Sequence, residues 1–214
     1  GSGENPLQHP HDFLDEVEKK RAQGFTWIDP KDGKTYTGDA AIYKSKGMTS
    51  TEFRTEIGLV KAERRMAMIK KARTLHDHDG LGNSEIARRL SSDDDPINES
   101  TVREWLKADA EAKARAAWAT ADMLKEAVDK STNGMVDVGN GVERELGISK
   151  EKLNQALYIL KRDGYEVYGG RFDQVTNPGQ MTTQKVLCTP GHEKKDIYNL
   201  SEVDTIMDYT SRDG

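Results

Sequence analysis

Cysteine is almost missing from this 214-residue chain. Cys188 stands alone, which excludes an internal disulfide and a zinc site of the multi-cysteine kind. Long apolar runs are missing too. None approaches the ~20 residues of a membrane-spanning helix, and the first residues lack the basic stretch and apolar run of a secretory leader. The expectation is therefore a cytoplasmic protein without a membrane partner. Apolar residues make up only 35% of the chain, charged residues 32%, and mean hydropathy is −0.81, so two or three small helical units are expected rather than one large core. An excess of basic charge is likewise absent: 32 Lys and Arg stand against 37 Asp and Glu, a net of −5, which excludes a histone-like, wholly basic nucleic-acid binder. Gly-x-Ser-x-Gly, His-Glu-x-x-His and Gly-x-x-x-x-Gly-Lys do not occur, so catalysis has no anchor and no cofactor or metal is implied. Gly1-Ser2-Gly3 reads as an expression scar, and the polar end Thr210 to Gly214 has no helix stop, as in a fragment of a longer protein.

What is present is helical. Behind an Asp cap, residues 12–22 place Phe13, Leu14, Val17 and Arg21 at helical spacing. Phe25 to Tyr36 reads as two short strands around Asp-Pro-Lys-Asp-Gly, with Trp27 and Tyr36 available to cover an apolar face, and a helix from Asp39 to Lys46 stops at Gly47. One pattern then recurs three times: a capped short helix with two apolar residues four apart, a turn, and a second helix. The first copy pairs Phe53 with Ile57, turns at Gly58 and continues through Lys61 to Leu75. The second pairs Ile86 with Leu90 and resumes at Ile97 to Leu106. The third pairs Val142 with Leu146 and resumes at Lys150 to Arg162. Between the last two, Ala108 to Lys130 is Ala-rich without Gly or Pro and reads as one continuous joining helix.

The second copy, Asn83 to Leu90 followed by Ile97 to Leu106, resembles the trihelical helix-turn-helix of resolvase and invertase DNA-binding domains. That resemblance covers about residues 63–107 and implies a second helix in the major groove, with Asn98, Glu99, Ser100, Thr101, Arg103 and Lys107 exposed and Val102, Trp105 and Leu106 in the core. It departs from the family at the turn, where Ser91-Ser92-Asp93-Asp94-Asp95-Pro96 puts an acidic insertion near a phosphate backbone. The third copy resembles a winged helix, with strands at Gly164 to Tyr168 and Thr182 to Leu187, a small third strand at Val136 and Val138, and a wing tip from Gly169-Gly170-Arg171 to Asn177-Pro178-Gly179. It implies DNA contacts by Ser149, Lys150, Lys152, Asn154 and Gln155 on the helix, and by Arg171, Gln174 and Lys185 on the wing. The order of units resembles DNA-binding proteins of actinobacterial phages, which would put the chain in the host cytoplasm.

The expected architecture is mainly α with a small β-wing, made of trihelical helix-turn-helix units and a C-terminal winged helix joined by a long helix. Its expected divisions are 1–47 (helix and hairpin), 48–107 (helix-turn-helix), 108–131 (linking helix), 132–195 (winged helix) and 196–214 (polar segment). Charge is unevenly spread. Residues 61–90 hold eight basic against four acidic side chains (+4) and include the candidate phosphate contacts Lys61, Arg64 and Arg65. Residues 150–195 hold eight against five (+3), and residues 91–112 hold two against seven (−5). The expected partner is double-stranded DNA, read in sequence-specific fashion by a phage regulator or genome-associated protein. The alternative is an interaction or virion module whose acidic segment Asp93 to Asp95 meets a basic protein; oligomeric state is left open. His76-Asp77-His78-Asp79 offers metal-ligand types, but alternate residues on a helix point to different faces, so it reads as a frayed helix end. Trp105 and Trp118, with apolar neighbours, read as core rather than base-stacking residues, and Cys188 as a small packed residue.

Overall fold

The computed structural model describes residues 10–139, 141–173 and 177–206. The chain is mainly α with a small β component and packs as two units, one up to Ala116 and one from Ala117. Among the described residues no helix is long and apolar enough to cross a membrane.

The N-terminal unit begins with α1 (Pro10–Ala22), the hairpin β1 (Thr26–Ile28) and β2 (Thr35–Thr37), and α2 (Gly38–Ser45). The hairpin pairs Trp27 with Tyr36, as the spacing predicts, and both side chains are half-buried while the opposite face, with Ile28, is exposed. Its turn is held by Asp29 and Asp32, which accept from the backbone N–H groups of Lys31 and Lys34 at 2.8 Å. Next comes α3 (Ser50–Asp77), capped by Thr49, whose hydroxyl accepts from the Glu52 N–H at 3.1 Å. One helix of 28 residues replaces the expected first helix-turn-helix copy. Gly58 continues the helix, because Ile57, Leu59 and Val60 around it are all buried and the packing they make outweighs the ~1 kcal/mol that an interior glycine costs. The first half of α3 buries Phe53, Ile57 and Val60 against Phe13, Leu14 and Val17 of α1 and Ile42 of α2.

The second half carries a separate core. Ala72 packs with Ile86 and Ala87 of α4 (Asn83–Leu90) and Val102 of α5 (Glu99–Trp105), and Leu75, Leu81, Ile97, Trp105 and Leu106 close around them. The turn from α4 to α5 has its own scaffold. The Ser91 hydroxyl lies 2.7 Å from the Ala87 carbonyl and accepts from the Ile97 N–H at 2.8 Å, while Ser92 and Asp95 exchange backbone hydrogen bonds. The acidic residues Asp93 to Asp95 thus sit in an ordered, exposed loop.

The expected linking helix is interrupted: α6 (Ala110–Ala114) ends at Arg115, whose φ of −90° and ψ of 3° leave the helical region, and α7 (Ala116–Lys130) starts anew. Rather than bridging units, α7 supplies Ala121, Leu124, Ala127 and Val128 to the C-terminal core. There it joins β3 (Met135–Asp137), α8 (Val142–Glu145), α9 (Lys150–Arg162), β4 (Glu166–Asp173) and β5 (Met181–Cys188), with Leu153, Ala156, Leu157 and Leu160 of α9 facing Val136 and Leu187 of the sheet. Residues 196–206 are not a separate polar segment. Two 3-10 turns, Lys194–Tyr198 and Leu200–Glu202, lead into β6 (Asp204–Thr205), which pairs parallel to β3 and completes the strand order β4-β5-β3-β6. Ile197 covers the second face of the sheet with Met135, Phe172, Val186 and Cys188.

Two protons are locked into this unit. The Tyr165 hydroxyl donates to Asp129 at 2.7 Å, and burial first and that carboxylate second push the phenol from its ordinary 10.0 up to about 12. Burial pushes the Cys188 thiol from 9.0 up to about 11. Each folded-state value lies above the unfolded one, so the unfolded chain ionises first. The thiol's contribution to stability is lost as pH rises from about 9 through about 11, the phenol's from about 10 through about 12. Thermal melts should therefore show a falling midpoint above pH 9, and Tyr165→Phe should flatten the part above pH 10.

Candidate nucleic-acid interface

The residues singled out in the sequence separate into three groups. Lys61, Arg64 and Arg65 lie within α3 and so do not form a second helix after a turn. Lys61 and Arg65 are exposed, and Arg64 ion-pairs with Asp15 at 2.8 Å, tying α3 to α1.

On α5 the polar residues are engaged with one another. Asn98 is the N-cap: its side-chain oxygen accepts from the Thr101 N–H (2.9 Å), the Thr101 hydroxyl (2.9 Å) and the Ser100 hydroxyl (2.6 Å). Arg103 pairs with Glu99 at 3.0 Å and Lys107 with Glu104 at 2.7 Å, each within one helical turn. On α4, Arg88 and Arg89 share Glu85, whose carboxyl is held below its usual range by the Arg88 hydrogen bond first. Each of these cations already faces a nearby carboxylate within an exposed ion pair.

The third group lies in the C-terminal unit. Ser149 is consumed as the N-cap of α9, accepting from the Lys152 N–H at 3.1 Å. Gln155 points inward: it is 5% exposed, and its amide oxygen has no hydrogen-bond partner among the described residues, so it does not reach outward to base edges. Lys150 and Asn154 instead converge with Lys185 on a cleft of about 190 Å³. Leu153 and Leu157 of α9 floor it, and Val138, Gly139, Glu143 and Thr183 complete it.

Strand register explains the convergence. Arg171 is not at a wing tip; it sits within β4, opposite Thr183, and Gly169 is opposite Lys185. Opposed and alternate residues share a face, so Arg171, Thr183 and Lys185 lie on the side of the hairpin that carries Val167 and Leu187, which pack in the helical core. Beyond that core the same face runs out to solvent beside the start of α9. Gly139 lets the loop after β3 lie against β5: a Cβ there would meet the Lys185 nitrogen at 3.2 Å, and the Val138 N–H donates to the Lys185 carbonyl at 2.9 Å. Asp137 accepts from the Gly139 N–H at 2.8 Å, and burial raises its carboxyl above the ordinary range despite that bond. Among the described residues, Lys150, Lys185 and Arg171 make no ion pair, and all three are exposed. Gln174 lies outside the described residues.

Sequence reasoning missed Thr183 and Glu143. Thr183 was readable as two residues before Lys185 on an alternating strand, whereas Glu143 joins the cleft only through the packing of α8. His76 and His78 each contact the next residue, Asp77 and Asp79, at 2.8 Å, and no group of three metal-ligand residues occurs among the described residues. No family model, curated protein or solved structure matches this chain.

Proposed function

We propose that the chain binds duplex DNA through its C-terminal unit, with α9 in the major groove and the β4–β5 hairpin along the backbone. The observation that carries this reading is the row of unpaired cations, Lys150, Lys185 and Arg171, on one exposed face beside Asn154. The order α7, β3, α8, α9, β4, β5 supports it, being the order of a winged helix. Lysine and arginine on such a face neutralise phosphates and release counterions, and Asn154 offers both a donor and an acceptor for a base edge. The −5 over the whole chain and Glu143 in the cleft make charge-driven coating weak, so occupancy depends on base contacts. The phage resemblance drawn from the sequence makes a regulatory or genome-associated role the one to pursue. A protein-contact role is the second reading, and it is favoured for the α4–α5 region by the self-paired cations of α5 and the exposed acidic turn.

Fluorescence anisotropy with a labelled mixed-sequence duplex at low salt tests the reading. Three phosphate contacts give a slope of log K against log salt of about −3. A slope near zero, or no binding at low salt, would overturn it. Selection from a random duplex library would then reveal the sequence preference.

A further inference from the structure

The second half of α3 and the end of α4 enclose an open groove of about 570 Å³ that plays no part in the interface above. Ala67, Leu75 and Leu90 form its apolar floor, and Leu75 and Leu90 rest on the core made by Ala72, Ile86, Ala87 and Val102. Lys70, Lys71 and Arg89 stand at its rim, and no acidic residue lines it. Lys70 and Lys71 are exposed and make no ion pair among the described residues, in contrast to Arg88, Arg103 and Lys107, which all do. Arg89 is held less closely than its neighbour, 3.3 Å from Glu85 against 2.7 Å for Arg88, and can turn to a new carboxylate.

We propose that this groove docks an acidic amphipathic helix of a partner protein. Its charge and its apolarity have to be satisfied together. A phosphate backbone would meet the three cations but leave the leucine floor uncovered, whereas a helix with apolar side chains on one stripe and carboxylates beside it meets both. The length also fits: Ala67 to Leu75 spans two turns, about 12 Å, which accommodates two apolar side chains one turn apart. The proposal stands apart from the DNA reading, because every groove residue belongs to the N-terminal unit.

The test uses the full chain, labelled with nitrogen-15, and three probes. The first is a synthetic helical peptide with leucines at i and i+4 flanked by glutamates. The second keeps that composition but puts the leucines on opposite faces, and the third keeps the leucines but replaces the glutamates by lysines. The first should shift amide signals at Ala67 to Leu75 and at Arg89 and Leu90, and the other two should bind at least about tenfold more weakly. Lys70→Glu with Lys71→Glu should weaken the first peptide by about the same factor, and Ala67→Glu should do so at a position exposed enough to leave the fold intact. No shift at millimolar peptide, equal binding of all three peptides, or displacement of the peptide from these amides by duplex DNA would overturn the proposal.

Discussion

Replacing Phe53 by Ala should cost the N-terminal unit about 3 to 5 kcal/mol, the range for removing a buried aromatic ring. Phe53 is 2% exposed and sits where three helices meet. Its ring lies edge-on to Phe13 at 6.3 Å and tilted against Tyr43 at 5.7 Å, while Val17, Ile42, Ile57 and Val60 close the remaining sides. Small domains carry only about 5 to 15 kcal/mol of net stability, so this loss is a large share of what holds α1, α2 and the hairpin to α3. Denaturant titration followed by circular dichroism should show it as a lower midpoint in one transition, with the C-terminal unit, whose core is built from its own residues, unfolding as before. A loss below about 1 kcal/mol would mean that the helices collapse into the vacated space.

Reversing both cleft lysines, Lys150→Glu with Lys185→Glu, should weaken duplex binding about 100-fold at low salt and take the salt slope from about −3 to about −1. Both side chains are exposed and unpaired, so the loss comes from attraction turned to repulsion and not from a broken internal contact. The core residues beneath, Leu153 and Leu157, are untouched, and circular dichroism of the variant should match the parent. Arg103→Ala and Lys107→Ala are the informative controls. Because Glu99 and Glu104 already hold these cations, removing them should change affinity less than twofold. An equal loss from both pairs of substitutions would mean that Arg103 and Lys107 contact the duplex as well.

The elements that were legible in the sequence are those whose signals are local. The Trp27–Tyr36 hairpin and the helix from Lys150 to Arg162 read directly from spacing, whereas Asn98 and Ser149, expected as DNA contacts, are the N-caps of α5 and α9. Gly58 misleads because a glycine signals a turn over a few residues, while the continuity of α3 depends on α1 and α2 packing around it. Gly169-Gly170 misleads in the same way. The second glycine lies within β4, paired with Gln184, and glycine is needed there because a Cβ would meet the Phe172 ring at 2.9 Å and Ile197 at 3.2 Å, contacts that no local turn signal reveals. Arg115 interrupts an Ala-rich run with no composition signal at all. In the candidate site, Lys150, Asn154 and Lys185 were readable as residue types, but their convergence required the register of β4 on β5. Gln155 shows the converse: a polar residue on the expected recognition helix whose side chain turns inward.

The uninterrupted course of α3 also fixes a phase. Its 28 residues make a rod of about 42 Å, with one core gripping Phe53 to Val60 and another gripping Ala72 and Leu75. A single residue inserted between those grips would swing the α4–α5 pair about 100° around the rod and carry it 1.5 Å along it. Seven inserted residues would bring it back to within about 20° of its starting direction, though roughly two turns farther away. The turn from Ser91 to Asn98 answers to its own hydrogen bonds and to no such clock, while the exposed positions between Val60 and Ile69, such as Lys61 and Arg65, can change their side chains but the stretch cannot change its count.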